Sequence, residues 1–288
     1  MATLREIKGR IVSITSTRKI TSAMKMVSSS KLHRAQGTLK DISLYAKSLH
    51  HIMQNLLQDG FTLPQDENRP VRHAAVIVFS SDNALCGAFN SNVVRELQRL
   101  LASYRDGKVE VTLYAVGRKV FEYARREGVH VGRNYEKLSG VSAYAPMAAL
   151  AEELTGRFER KEIDRVEMIY HRFKSVGTQH LVCEPLLPLT LSPAGDDGAS
   201  HVAEYILEPD RASLIAALIP QSLKLHVYTA LLHSCASEHA VRMIAMQMAT
   251  DNADELIDEL TVAYNKSRQQ AITSELLDIV GGAANGRM

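Results

Sequence analysis

The feature that most constrains this chain is what its last quarter omits. From Gln221 to the Gly281-Gly282 pair, about sixty residues pass without proline or glycine. Apolar or small residues recur there at helical spacing: Leu223, Val227, Leu231, Ser234, Val241, Ile244, Met248, Leu256, Leu260 and Ala263. The pattern predicts one continuous helix, on the order of 90 Å long at about 1.5 Å per residue, several times the usual length in a globular protein. A second proline-free run, Thr3 to Gln58, steps Leu4, Ile7, Ile11, Ile14, Met24, Val27, Leu39, Ile42, Leu49, Ile52 and Leu56 along one face. Its middle, residues 15–30, is unusual because Ser and Thr stand where charged residues are expected, around Ile20, Met24 and Met26. Gly9 and Gly37 cost this helix about 1 kcal/mol each relative to alanine.

Between the two helices the period changes. A linker from Asp59-Gly60 through Pro64 to Pro70 leads into Ala74–Phe79, a continuous apolar run suited to a strand buried on both faces. The segment SSDNALCGAFNSN then enters a helix at Val93–Tyr104. Strand Val109–Val116, helix Arg118–Glu127 and helix Met147–Arg160 follow, and Arg165–Phe173 with His180–Leu189 form a closing strand pair. This alternation predicts an α/β class with a mainly parallel, Rossmann-like sheet. Ser192 to Ser200 reads as a flexible loop and Tyr205 to Pro209 as a short extended piece. Asp210 is an N-cap, and Pro220 kinks or restarts the last helix. The expected organisation is an N-terminal coiled-coil helix (1–60), an inserted α/β domain (71–191) and a C-terminal coiled-coil helix (205–288).

Composition limits the function. With 45% hydrophobic and 23% charged residues, the 288-residue chain can build a sizeable core, and a net charge of +2 is too small to indicate a nucleic-acid binder. Charge is nevertheless lopsided, because residues 1–58 carry ten bases against Glu6 and Asp41. Three cysteines (Cys86, Cys183, Cys235) without metal or disulfide spacing favour a reducing compartment. No signal core and no run of eighteen apolar residues is present, so a soluble mature protein is expected.

An insertion between two long helices forces them antiparallel, with facing residues summing to about 267 if both rise equally from the inserted unit. Asp251, Asp254, Glu255, Asp258 and Glu259 should then lie opposite Arg5, Lys8 and Arg10. Residues beyond about 266 would have no partner in the chain, yet they include Ala271, Ile272, Leu276, Leu277, Ile279 and Val280. Such a tip requires burial in another molecule.

Catalytic chemistry is weakly signalled. Cys86 follows a strand but has no base at a telling spacing, and is read as a packing residue. His50-His51, His226, His233 and His239 lack zinc-ligand spacing, and neither a Walker A loop nor GxGxxG occurs. Met243, Met246 and Met248 are expected to pack within the coiled coil. An α/β enzyme with helical oligomerisation arms would have only Ser81, Asp82 and Asn83 at the strand ends. An adaptor coiled coil would not need an unpaired apolar tip.

Three stretches, KITSAMKMVSSSKLHRAQ (19–36), SSDNALCGAFNSN (80–92) and SEHAVRMIAMQMATDNADELIDELTVAYNKSRQQAITSELLDIVGGA (237–283), closely resemble the F-type ATP synthase gamma subunit of bacteria. The resemblance implies a non-catalytic central rotor shaft without cofactor or metal. It would couple proton transport through a ring of c subunits to ATP synthesis in a hexamer of alpha and beta subunits, with an epsilon subunit on its head. The resemblance also implies a peripheral place on the cytoplasmic face of the inner membrane, held there only through the complex. Residue by residue, Met24, Lys25 and Arg242 match hexamer contacts, Gln269, Thr273 and Glu275 match C-terminal hexamer contacts, and Tyr205 and Glu208 match the foot on the c ring.

Overall fold

A computed structural model describes residues 4–57, 69–138, 143–189, 208 and 210–285. The elements, in chain order, are α1 (Leu4–Leu57), β1 (His73–Phe79), α2 (Phe89–Asp106), β2 (Glu110–Val116), α3 (Arg118–Glu127), β3 (Val131–Tyr135), α4 (Tyr144–Glu159), β4 (Arg165–Ser175), β5 (Thr178–Leu187) and α5 (Arg211–Asn285). Chain contacts divide into two units, residues 1–28 with 242–288, and residues 29–241.

The larger unit is built on a sheet of order β3-β2-β1-β4-β5, parallel except for the antiparallel β4–β5 pair. Along β1 every residue from Ala74 to Phe79 is buried, which explains its unbroken apolar run. Ala75, Ile77 and Phe79 face a core shared with α4 (Met147, Leu150, Leu154, Phe158), α1 (Leu39, Leu49, Met53, Leu56) and α5 (Ile215, Ile219, Leu223, Val227, Leu231). Ala74, Val76 and Val78 face a second core under α2 (Val93, Leu97) and α3 (Val120, Ala124). The period of two along one strand thus serves two helical layers.

Several expectations need correction. Strand β3 was not expected: its sequence, VGRNY, has little apolar content, and it exists because β2 supplies a parallel partner. Pro220 does not restart α5, which runs through it with Ile219 and Leu223 buried on either side. That packing holds the helix across the one backbone donor a proline removes. By length and composition α5 could pass for a membrane span, although the sequence shows no run of eighteen apolar residues. Between Ile215 and Cys235 it instead buries its apolar side in the core of the sheet unit. The cap is as expected, with Ser213 N donating to Asp210 Oδ1 at 2.8 Å. Tyr205 and the loop 192–200 lie outside the described residues.

In the smaller unit α1 and α5 pair through a seam of strict seven-residue period. On α1, Leu4, Ile7, Ile11, Ile14, Arg18, Thr21, Lys25 and Ser28 are all at least half-buried, alternating three and four apart. On α5 the matching set is Met246, Thr250, Ala253, Ile257, Leu260 and Tyr264. The expected stripe therefore divides: Leu260 faces the seam, whereas Ile244, Met248, Leu256 and Ala263 point outward, as does Val27 on α1. A seam of period 3.5 drifts away from a stripe of period 3.6, which is how the sequence pattern misleads. The methionines divide in the same way, Met246 buried and Met248 exposed.

Candidate partner-binding surface of the paired helices

Two cross-helix bonds fix the register of the pair. Thr21 Oγ1 and Thr250 Oγ1 are 2.8 Å apart, and Arg18 Nη1 meets Asp254 Oδ1 at 2.7 Å. These pairs sum to 271 and 272, about one turn beyond the expected 267, because side chains in the seam set the register rather than the points where the helices begin. Arg18, and not Arg5, Lys8 or Arg10, is consequently the base that meets the acidic run 251–259. The acidic run faces α1 as expected, but Arg18 is not among the bases the spacing pointed to. The signal was present in the sequence as the heptad 4, 7, 11, 14, 18, 21, 25, 28.

The hydroxyls around residues 15–30 are mostly used locally. Thr15, Ser16, Thr17 and Ser28 donate to the carbonyls of Ile11, Val12, Ser13 and Met24, at 2.7 to 3.2 Å. Such back-bonding satisfies a helical hydroxyl without any partner. The surface they leave is built of short side chains, interrupted by exposed Lys19, and it is bordered by exposed Val12, Ile20, Met26 and Val27.

Met24 and Lys25 are half-buried, level with residues 246 and 247 in the observed register. Arg242, only 8% exposed, lies roughly 7 Å further along the pair at 1.5 Å per residue. Gln269, Thr273 and Glu275 are exposed, on a stretch of α5 that extends past the level of Leu4, and Thr273 Oγ1 bonds back to the Gln269 carbonyl at 2.9 Å. Around them Ile272, Leu276, Leu277 and Ile279 are 48 to 67% exposed. The structure thus separates the expected contact residues into a middle group and a tip group about 35 Å apart along α5. Glu208 is exposed, and Tyr205 is outside the described residues.

In the sheet unit, the residues that could have served an enzyme are occupied in holding the fold. Asp82 accepts from the backbone N–H of Arg118 and of Lys137, each at 3.0 Å, which caps the start of α3. Ser81, nearly inaccessible, donates to the Asn83 carbonyl and exchanges bonds with Asn90, whose amide also reaches Cys86 Sγ at 3.1 Å. Gly87 has φ +54°, and a Cβ there would stand 3.1 Å from Val241 on α5. The mid-chain motif therefore brings a turn against the long helix, with Phe89 stacked on buried His171 at 4.2 Å.

A second set of contacts keys α5 to the sheet. Glu184 on β5 receives Tyr170 at 2.8 Å, Arg172 at 2.6 Å and His226 of α5 at 3.0 Å. Phe173 N donates to His233 Nδ1 at 3.3 Å, and Ser237 Oγ donates to the His171 carbonyl. Burial alone would raise the Glu184 pKa, but the bonds from His226 and Tyr170 outweigh it and hold the carboxyl at about 2. Burial drives both His171 and His233 down to about 4, so both are neutral at pH 7. These residues lie up to 66 positions apart, beyond the reach of local sequence patterns.

Comparison with known proteins completes the description of this surface. A family model described as ATP synthase matches residues 3–285. An ATP synthase gamma chain from Bacteroides fragilis is 50% identical, covering 98% of this chain and 99% of that protein. One from Geobacter metallireducens is 39% identical over 98% of both chains. Among solved structures, a chain from the Euglena gracilis mitochondrial ATP synthase (OSCP/F1/c-ring) superposes with a TM-score of 0.65 at 19% identity, covering 98% of this chain and 93% of that one, a likeness of fold.

Proposed function

Because the chain belongs to the ATP synthase gamma chain family, we propose that it is the central rotor shaft of a proton-translocating ATP synthase. In this reading it transmits rotation of a membrane ring of c subunits to the catalytic alpha/beta hexamer, as part of a membrane-bound complex. The observation that carries the proposal is the outer surface of the paired helices. Ile272, Leu276, Leu277 and Ile279 at the tip, with Val12, Ile20, Ile244, Met248, Leu256 and Val262 below it, expose more apolar side chain than a free helix pair leaves to water. A surrounding protein sleeve accounts for that surface, and back-bonded hydroxyls limit how tightly any one orientation is held. Rotation then biases distant catalytic sites through differential contacts, with no chemistry performed by this chain. Bonding of Asp82 and Ser81 within the fold supports a non-catalytic role.

Within this reading Met24, Lys25 and Arg242 meet the middle of the hexamer, and Gln269, Thr273 and Glu275 meet its far end. Tyr205 and Glu208 rest on the c ring, and an epsilon subunit binds the inserted domain. The segments 1–60, 71–191 and 205–288 act as shaft helix, inserted domain and shaft helix. In a bacterium the complex stands at the cytoplasmic face of the inner membrane. The test is to purify tagged chain from its native cells and assay ATP hydrolysis in what accompanies it. Co-purifying hydrolysis that is lost, together with coupling, on removal of residues 267–288 is expected. A chain recovered alone, or a truncation without effect, overturns the proposal.

A further inference from the structure

Around Thr21 the seam reverses the usual order of a coiled coil. Ile7, Ile11 and Ile14 fill successive layers, and then Arg18, Thr21, Lys25 and Ser28 occupy the next four. Thr21 is 9% and Ser28 3% exposed, so these two are interior positions, whereas the Arg18 side chain at the edge of the seam is 42% exposed. Burying such groups is unfavourable unless each finds a partner. Across the pair Thr21 meets Thr250 and Arg18 meets Asp254, while on their own helices Thr21, Thr250 and Ser28 also bond to the carbonyls of Arg18, Met246 and Met24.

The apolar layers cannot set the register alone. Sliding α5 by half a heptad would still set Ile and Leu of α1 against Ala253, Ile257, Leu260 and Tyr264, with similar burial. The polar layer makes the registers unequal. A slide of four residues one way places Thr21 beside Met246, and a slide of three the other way places Thr21 beside Ala253 and Arg18 beside Ile257. Either slide loses both cross-helix contacts, leaving the Thr21 hydroxyl only its own bond to the Arg18 carbonyl and the Arg18 guanidinium only water. We propose that Thr21–Thr250 and Arg18–Asp254 form a register latch, and that these four are positioning residues which hold Met24 and Lys25 at a fixed height and angle on the pair. The coupling role rests on the rotor reading, whereas the latch itself rests only on the seam.

The test therefore has two arms in the full-length chain. In the first, cysteines at Ile14 and Ile257, level in the observed register, report alignment by oxidative cross-linking, with exposed Cys183 replaced by serine. In the second, the assembled complex in inverted membrane vesicles is assayed for ATP hydrolysis and for proton pumping per ATP. Thr21→Val with Thr250→Val keeps volume and removes the bond. It is expected to leave the thermal midpoint unchanged or higher and hydrolysis near normal, while lowering both the 14–257 cross-link and pumping per ATP several-fold. Thr21→Ser with Thr250→Ser, which retains the hydroxyls, restores both. Arg18→Asp lowers both, and adding Asp254→Arg recovers them. A valine pair equal to the parent in cross-link and pumping overturns the latch, as does a serine pair as defective as the valine pair. If the parent complex neither hydrolyses nor pumps, the rotor reading fails and the cross-linking arm still decides the latch.

Discussion

In the sheet unit six consecutive residues of β1 are no more than 1% exposed, whereas in the paired-helix unit only Ile7, Thr21, Ser28, Arg242, Met246 and Ala253 are buried at all among the described residues, at 3 to 9% exposure. Half of those six are polar. At about 25 cal/mol per Å² of buried apolar surface, the sheet unit supplies its own stability, and the helix pair leaves most of its apolar surface for something else to cover. The difference teaches that one chain can combine a continuous apolar core with a region that leaves large apolar side chains exposed, and that the contacts fixing alignment in the second region are polar.

The largest effect is expected from Phe158→Ala. Its ring is buried between α4 and the sheet, with the Arg69 guanidinium 4.6 Å from its centroid. Urea unfolding of the full chain should show a loss of about 3 to 5 kcal/mol, against about 2 kcal/mol, the low end for a buried isoleucine, for Ile7→Ala in the seam. Equal losses would break the comparison.

Acid should separate the regions next. His171 and His233 titrate near 4 when folded and near 6.5 when unfolded, so the unfolded chain binds more protons between those values. Their contribution is complete above about pH 6.5 and is lost as pH falls to about 4, at about 1 to 3 kcal/mol each. Glu184, held at about 2, adds a further loss below about pH 4.5. Hydrogen exchange followed by mass spectrometry across this range should therefore show β4, β5 and residues 223–237 of α5 losing protection before β1 and β2.

A smaller change, about 1 to 2 kcal/mol, is expected for Gly87→Ala, because φ +54° strains any side chain and the new methyl meets Val241. Val241→Ala in the same chain should recover part of that loss, and a purely additive double mutant would show that the turn does not bear on α5. Smallest is Asp254→Asn in the free chain, under about 1 kcal/mol and diminished by salt, since both partners are nearly half exposed.

The sequence made legible those elements whose cause is local. Helix α3 has the expected bounds, 118–127, because Gly117 at φ +102° and Gly128 at φ +68° stop it on both sides. Strand β1 declares itself by burial on two faces. Strand β3 does not, since its reason for existing is the backbone of β2. The seam is present in the sequence but is concealed by Thr21, Lys25 and Ser28, polar residues at seam positions that an apolar stripe does not count. Met24, Lys25, Gln269, Thr273 and Glu275 came from resemblance, whereas the unpartnered apolar tip followed from the antiparallel register alone. The Glu184–His226 contact joins residues 42 positions apart and has no local signature.

The continuity of α5 has a mechanical consequence. Its 75 residues pass from one unit to the other at Val241–Arg242 without a turn or a loop. Between Arg242 and Tyr264, a stretch with neither proline nor glycine, the helix keeps its full ladder of backbone bonds and behaves as an elastic element: twisting it distributes strain over many residues instead of collecting it at a hinge. Compliance is then set by length and by the seam, and a single glycine introduced between Arg242 and Tyr264 would create a soft point at which stored strain dissipates.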